Sequence, residues 1–323
     1  MSDLLEKCSV CRALVDEEDL FCANCGTEAP HRAVVADLAS ATSTHSFQCA
    51  GCGASMNYDA STQALRCPFC GSEKLAATPP TKSLAPQRIV TFAVDQESAL
   101  QILRRELGTG FWRPGDLAKA AAVTKIAKIY VPYWVFRANT FTYWTADSSQ
   151  TPIGARGDWY PLSGEHRGNY TGILVGASSA LTPRETSGIC PFDLTRGVDP
   201  STVDLENVAV EQFRVQRKYA RPLARQGLEA FERDQCARYV PGRCRNLKVN
   251  VRLENLSSEP VLLPVWIMAY RYKERLFRFL VNGQSGQATG QAPLSMRKIA
   301  SAIGLLILVI LVVVALIALA GGH

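Results

Sequence analysis

Lys125-Ile126-Ala127-Lys128-Ile129-Tyr130-Val131-Pro132-Tyr133-Trp134-Val135-Phe136, resumed as Thr140-Phe141-Thr142-Tyr143-Trp144, is the stretch on which the fold turns. β-Branched and aromatic side chains dominate it, the composition of a pleated and half-buried strand. Pro132 has no amide hydrogen to give to a ladder, so it is expected at a sheet edge or a bend. Downstream, Gly154 to Gly176 is rich in Gly and aromatics and suits a hairpin or a long connection. From about Asp204 to Tyr239 the pattern is helical, and Pro222 is expected to split it into two segments. Val261 to Tyr272, a turn at Lys273-Glu274 and Arg275 to Val281 read as a hairpin, with another turn at Asn282-Gly283. Upstream, Arg88 to Val94 reads as a strand, and Asp95 as the cap of a helix carrying Ala99, Ile102, Leu103 and Leu107, with Gly108 as its stop.

The opening stretch has an echo. Val131-Pro132-Tyr133-Trp134-Val135-Phe136 resembles Leu263-Pro264-Val265-Trp266-Ile267-Met268, 132 positions later. Two readings are open: halves of one duplicated β unit, or coincidence between two edge strands. Both tryptophans are assigned to the core.

Past the closing hairpin, Gln284 to Lys298 reads as a polar spacer, and Ile299 to Ala320 is an uncharged run broken by one polar residue, Ser301. At about 1.5 Å per residue this run spans roughly 33 Å, against about 30 Å of bilayer hydrocarbon. A transmembrane helix is expected, and with only Gly321-Gly322-His323 beyond it, a tail-anchored protein. Arg297 and Lys298 precede the run and Met1 to Lys7 has no apolar core, so the positive-inside rule assigns residues 1–298 to the cytoplasm.

Eight of the eleven cysteines form four Cys-x-x-Cys pairs in the first 70 residues: Cys8/Cys11, Cys22/Cys25, Cys49/Cys52 and Cys67/Cys70. In a reducing compartment such pairs are metal knuckles rather than disulfides. Two intervening residues let both thiolates converge on one ion, and Gly26, Gly53 and Gly71 free the backbone to turn its amides toward sulfur. The expectation is two zinc ribbons, with Zn²⁺ held by Cys8, Cys11, Cys22 and Cys25 and by Cys49, Cys52, Cys67 and Cys70. Four protein ligands leave no open position, so both sites are read as structural. The fold class is α+β: two small N-terminal zinc ribbons, a mixed α+β body with antiparallel β hairpins, and one C-terminal transmembrane helix. The divisions are 1–28 and 47–75 for the ribbons, 29–46 and 76–86 for linkers, 87–283 for the body, 284–298 for the spacer and 299–320 for the helix. The Ala/Ser/Thr-rich and Pro-containing linkers lead us to expect ribbons that move relative to the body.

The formal net charge of +6 is divided unevenly, with −5 on residues 1–77 and +11 on the remainder. Two ions in four-thiolate sites would bring the head to about −9. That argues against a phosphate backbone as ligand and for a protein partner. The basic 204–239 region, with Arg214, Arg217, Lys218, Arg221, Arg225, Arg233 and Arg238, reads as a solvated helical face or, alternatively, as a contact for the anionic inner leaflet. His-Glu-x-x-His, Gly-x-Ser-x-Gly and phosphate-loop motifs do not occur. His166 can be written with Cys190 and Asp193 or Glu185 as a Cys-His-acid set; the plainer reading leaves Cys190 a buried thiol beside Pro191-Phe192. The expectation is a protein that is not an enzyme and takes no small-molecule substrate.

Cys67-Pro68-Phe69-Cys70-Gly71, Ile129 to Phe136, Pro191-Phe192-Asp193-Leu194, Leu263-Pro264-Val265-Trp266 and Val281-Asn282-Gly283-Gln284-Ser285-Gly286 occur in this order. In that order the chain resembles the YdjG-like family of bacterial membrane-anchored proteins with TFIIB-type zinc ribbons. It departs from the family in its extra N-terminal ribbon, in Lys273-Glu274-Arg275 where a Gly is usual, and in its single span. The resemblance implies a non-enzymatic membrane platform working with PspA-like or SPFH-type partners in envelope stress. The alternative is a membrane-tethered zinc ribbon that binds nucleic acid or transcription machinery.

Overall fold

A computed structural model describes residues 6–12, 14–15, 27, 44–59, 66–78, 84–205 and 208–320. Strands β1 (Glu6–Lys7) and β2 (Leu14–Val15) pair with each other. The segment carrying Cys49, Cys52, Cys67 and Cys70 contributes β3 (Thr44–Cys49), β4 (Ser55–Asp59) and β5 (Leu75–Thr78). The body begins with β6 (Arg88–Val90), α1 (Gln96–Gly108), α2 (Leu117–Ala120), β7 (Ala122–Ser148) and β8 (Tyr160–Gly176). It continues with α3 (Pro183–Gly188), β9 (Gly197–Val198), β10 (Ala209–Glu211), α4 (Arg217–Ala237), β11 (Cys244–Tyr272), β12 (Arg275–Asn282) and β13 (Ala288–Gly290), and α5 (Met296–Ala320) follows. Among the described residues β3 to β13 belong to one sheet of eleven strands, whose main path runs β13-β12-β11-β7-β10-β4-β3-β5.

The spine is the antiparallel pair β7 and β11. Side chains alternate across a strand, so each of these two feeds two cores. Ile129, Val131, Tyr133 and Val135 join Val261, Leu263, Val265 and Ile267 on one face, where α3 and the cysteine module pack. On the other face Trp266, Met268 and Tyr270 pack against Ala99, Leu103 and Leu107 of α1, and Trp134 and Phe136 against Ala220 and Ala224 of α4. Asp95 caps α1 by accepting from the Ser98 amide at 2.7 Å, and the helix ends at Gly108 as expected.

The echo is a structural duplication. β10 runs parallel to β7 at Ile129 and Tyr130, and β6 runs parallel to β11 at Val261 and Leu262, the positions 132 residues on. Trp134 donates its indole N–H to the Val215 carbonyl at 2.7 Å, and Trp266 donates to Val94 at 2.8 Å. Phe213 lies against Trp134 and Phe92 against Trp266. The Pro132 carbonyl accepts from Ala177 and the Pro264 carbonyl from Gly283. The Ala177 carbonyl in turn accepts from Arg214 and Val215, as the Gly283 carbonyl does from Ala93 and Val94. Each half is a short strand, a helix, a long strand and a returning strand. The halves exchange short strands, each lying on the other's long strand.

This arrangement corrects the expectation for Pro132. β7 is central, flanked by β11 on one side and by β10 and then β8 on the other. In a strand a residue's N and C=O face the same neighbour. The Pro132 carbonyl faces β8, so its nitrogen lies where β10 has ended and β8 begins, and no ladder bond is lost. Pro264 stands likewise between β6 and β12.

Four further expectations change. Pro222 lies inside an unbroken α4, because the stripe Arg217, Ala220, Ala224, Leu228, Glu232 and Cys236 is buried along the whole helix and outweighs one missing backbone bond. The 204–239 segment is not helical from its start, since β10 precedes α4. The strand predicted for Arg88 to Val94 stops at Val90, where the chain turns to place the Val94 carbonyl beneath Trp266. The supposed spacer contains β13, which pairs with β12 from Phe279 to Val281. Lys273 and Glu274 turn the closing hairpin with φ of 46° and 63°, so the turn forms without a glycine.

Candidate metal centre

Two turns of the same form bring four sulfurs together. In the first, the Cys49 carbonyl accepts from Gly53 and the Cys49 amide donates to Ala54; in the second, Cys67 does the same with Gly71 and Ser72. Gly53 and Gly71 have φ of 76° and 75°, which a side chain would resist. The Gly51 amide points at Cys49 Sγ at 3.3 Å. Strand β5 returns to pair with β3, Leu75 opposite Cys49, and closes the turns over one another.

Cys49 Sγ and Cys70 Sγ are 3.5 Å apart, Cys52 Sγ and Cys67 Sγ 3.7 Å, and all four lie within 4.8 Å of one another. A disulfide would need about 2.05 Å. A tetrahedral ion with bonds of about 2.3 Å to sulfur requires edges of about 3.8 Å, close to the 3.5 and 3.7 Å separations found here. Cys49, Cys52, Cys67 and Cys70 are thus positioned to coordinate a metal. As bare thiols they compete: the hydrogen bond from Cys52 brings Cys67 down to about 5 and pushes Cys52 itself far up, while burial raises Cys70. A divalent cation supplies the charge that lets all four be thiolates together.

The module is fixed to the body, which corrects the expectation of a mobile second ribbon. β4 pairs antiparallel with β10, Asn57 opposite Val210 and Met56 opposite Glu211, the slot that β9 fills on β6 in the other half. Met56 and Phe69, the latter in the Cys67–Cys70 turn, are buried in the core with Ile129 and Val131. Gln212 donates from its backbone to the Ser55 carbonyl at 2.9 Å and from its side chain to Asn57 Oδ1 at 2.7 Å. Arg214 donates to the Ser55 hydroxyl, and Lys125 Nζ reaches the Arg66 carbonyl at 2.8 Å. Sequence reasoning missed these anchors. Phe69, an apolar residue inside a metal turn that has no core of its own, was the available signal.

Beneath the contact lies Glu211, 1% exposed. Its Oε1 accepts from the Ser178 hydroxyl and the Ser179 amide, both at 2.9 Å, while Oε2 has no partner among the described residues. Burial outweighs these donors and pushes the carboxyl up to about 7. Ser179 also donates to the Gly53 carbonyl at 3.3 Å, linking this carboxyl to the metal turn.

For the first expected ribbon, Cys22 and Cys25 lie outside the described residues. Cys8 and Cys11 occupy a turn of the same kind, with Arg12 donating to the Cys8 carbonyl at 3.0 Å and holding φ of 58°.

The Cys-His-acid set is not assembled. Cys190 donates to the Thr186 carbonyl and sits beside Tyr133, while His166 lies opposite Thr142, nine residues further along β7. His166 instead meets Glu232 and Cys236. His166 Nδ1 and Glu232 Oε2 are 2.7 Å apart, and Thr140 donates to the other carboxylate oxygen. Two ligands of one tetrahedral zinc stand more than 3 Å apart. This spacing is a hydrogen bond, and Glu232 is satisfied without an ion.

The chain is similar to a Bacillus subtilis (strain 168) protein described as "Uncharacterized protein YdjG", 25% identical over 316 residues covering 79% of this chain and 92% of that one. No protein-family model matches the chain, and no solved structure does.

Proposed function

We propose that this protein is a membrane-anchored adaptor, in which the cysteine module and the α+β body form one cytoplasmic unit that gathers protein partners at the bilayer without catalysing a reaction. The observation that carries the reading is α5. It is long and apolar enough to cross a membrane, and from Met296 to Val313 none of it is buried by the rest of the fold. A helix that is apolar on all sides and left unburied needs lipid or another protein around it. The metal is Zn²⁺, structural in role, in the site of Cys49, Cys52, Cys67 and Cys70, with a second ion held by Cys8, Cys11, Cys22 and Cys25. The partner class that the family resemblance implies is PspA-like or SPFH-type, and the process is envelope stress.

Affinity capture of the full chain from its own membranes, set beside the Cys67→Ser/Cys70→Ser variant, tests the adaptor role. Loss of a specific protein set from the variant is expected. Identical sets would remove the module from recruitment, and nucleic acid retained with a steep salt dependence would favour the transcription-linked alternative. Protease treatment of sealed inside-out vesicles should digest the body, and protection there would reverse the orientation.

A further inference from the structure

Of the five tryptophans, Trp134, Trp144 and Trp266 are buried and Trp159 is half-buried beneath Arg243 and Arg245, whereas Trp112 is 45% exposed and its neighbour Phe111 is 74% exposed. Phe111 and Trp112 form the tip of the loop joining α1 to α2. Their rings meet edge to face with centroids 5.0 Å apart. The loop is tied to the start of α5: the Trp112 carbonyl accepts from the Ser295 amide at 2.7 Å, and the Phe111 carbonyl accepts from Lys298 Nζ at 3.1 Å. The Lys298 ammonium lies 5.9 Å from the centre of the Phe111 ring. Leu294 and Met296 are exposed at the same place, as is Arg297. The loop holds its own shape, since Gly110 takes φ of 105° and Arg113 folds back to the Glu106 carbonyl.

We propose that Phe111 and Trp112 insert into the interfacial layer of the membrane that α5 enters, so that the body is seated on an anionic bilayer surface by a second, peripheral contact. The proposal rests on the membrane reading of α5. Depth supports it. The hydrogen bond to Ser295 sets the loop at the first turn of α5, and Ile299, the first residue of the uncharged run, is about 4.5 Å further along from Met296. That is the headgroup level, where tryptophan is favoured because it is apolar at one end and a hydrogen-bond donor at the other. Charge supports it too, because Arg297 and Lys298 place cations at the same depth, where they attract anionic headgroups. The loop therefore presents rings, cations and the helix entry in one patch.

The full chain, reconstituted into phosphatidylglycerol-containing vesicles with lipids brominated near the headgroup end of the acyl chain, provides the test by tryptophan quenching. Trp112→Ala, an exposed change that leaves both cores intact, is the comparison. About half or more of the quenchable emission should vanish in the variant, because only Trp112 is expected at that depth. Equal quenching in both proteins, with both floating with the vesicles, would overturn the proposal while leaving the α5 anchor standing. Failure to float would instead overturn the membrane reading. Protection of Trp112 only after a captured protein is added would reassign the patch to a protein partner and also overturn the proposal.

Discussion

At the scale of single residues, two kinds of buried polar group shape this molecule. Trp134 and Trp266 each spend one indole N–H on a backbone carbonyl at the start of a helix. Replacing either by Phe should cost on the order of 1 kcal/mol or more, the price of leaving that carbonyl unpaired, with similar values at both sites because the surroundings are duplicated. Urea denaturation of the two variants measures this. Glu211 is the opposite case, a carboxyl raised to about 7 against an ordinary 4.5. Between these values the folded chain keeps a proton that the unfolded chain releases. Its contribution is therefore most favourable below about pH 4.5 and is lost as pH climbs to about 7, by something near 3 kcal/mol at most. The denaturation midpoint should fall over this window, and Glu211→Gln should flatten the fall. A midpoint that rises with pH and is unchanged in Glu211→Gln would contradict the assignment. The convergence of Cys49, Cys52, Cys67 and Cys70 on one point was legible from their spacing. The role of Glu211 was not, because burial depends on which strand lies over it.

At the scale of elements, local signals read correctly where local physics decides. Asp95 and Gly108 bounded α1, and the turn at Lys273-Glu274 fell in place. They misled where a tertiary neighbour decides. A proline demotes a strand only if its nitrogen faces a partner, and Pro132 and Pro264 face gaps that no single strand reveals. A proline divides a helix only if packing does not hold both sides, and α4 is held along its length. Linker composition likewise argued for a mobile module, whereas Phe69 and the β4–β10 pairing hold it. Phe69→Ala should bind as many metal equivalents as the parent chain yet lose roughly 3 kcal/mol of docking, seen as faster hydrogen exchange in β4 and β10. Loss of metal binding in that variant would show that docking and metal binding are one event.

At the scale of the whole molecule, the exchanged short strands make the halves interdependent. β6 belongs to the first half and pairs on the second half's β11, while β10 does the reverse on β7. Neither half completes its sheet alone, so the body should unfold in one transition, with the Trp134→Phe and Trp266→Phe variants shifting the same midpoint by different probes. Two separable transitions would argue that the halves are autonomous. This interdependence was only half legible: the Pro-x-Trp echo raised duplication as one of two open readings, and strand exchange is a matter of pairing that no motif records.

One near-symmetric body thus has two equivalent berths beside its short strands, and the one on β10 is filled by an element whose four cysteines are positioned to coordinate a metal. Removal of the ion would unclothe that margin of the sheet and offer its amides and carbonyls to any other chain. A metal in the four-cysteine site would then act as a chaperone of an edge, and chelation should register first as concentration-dependent self-association, well before the body itself gives way.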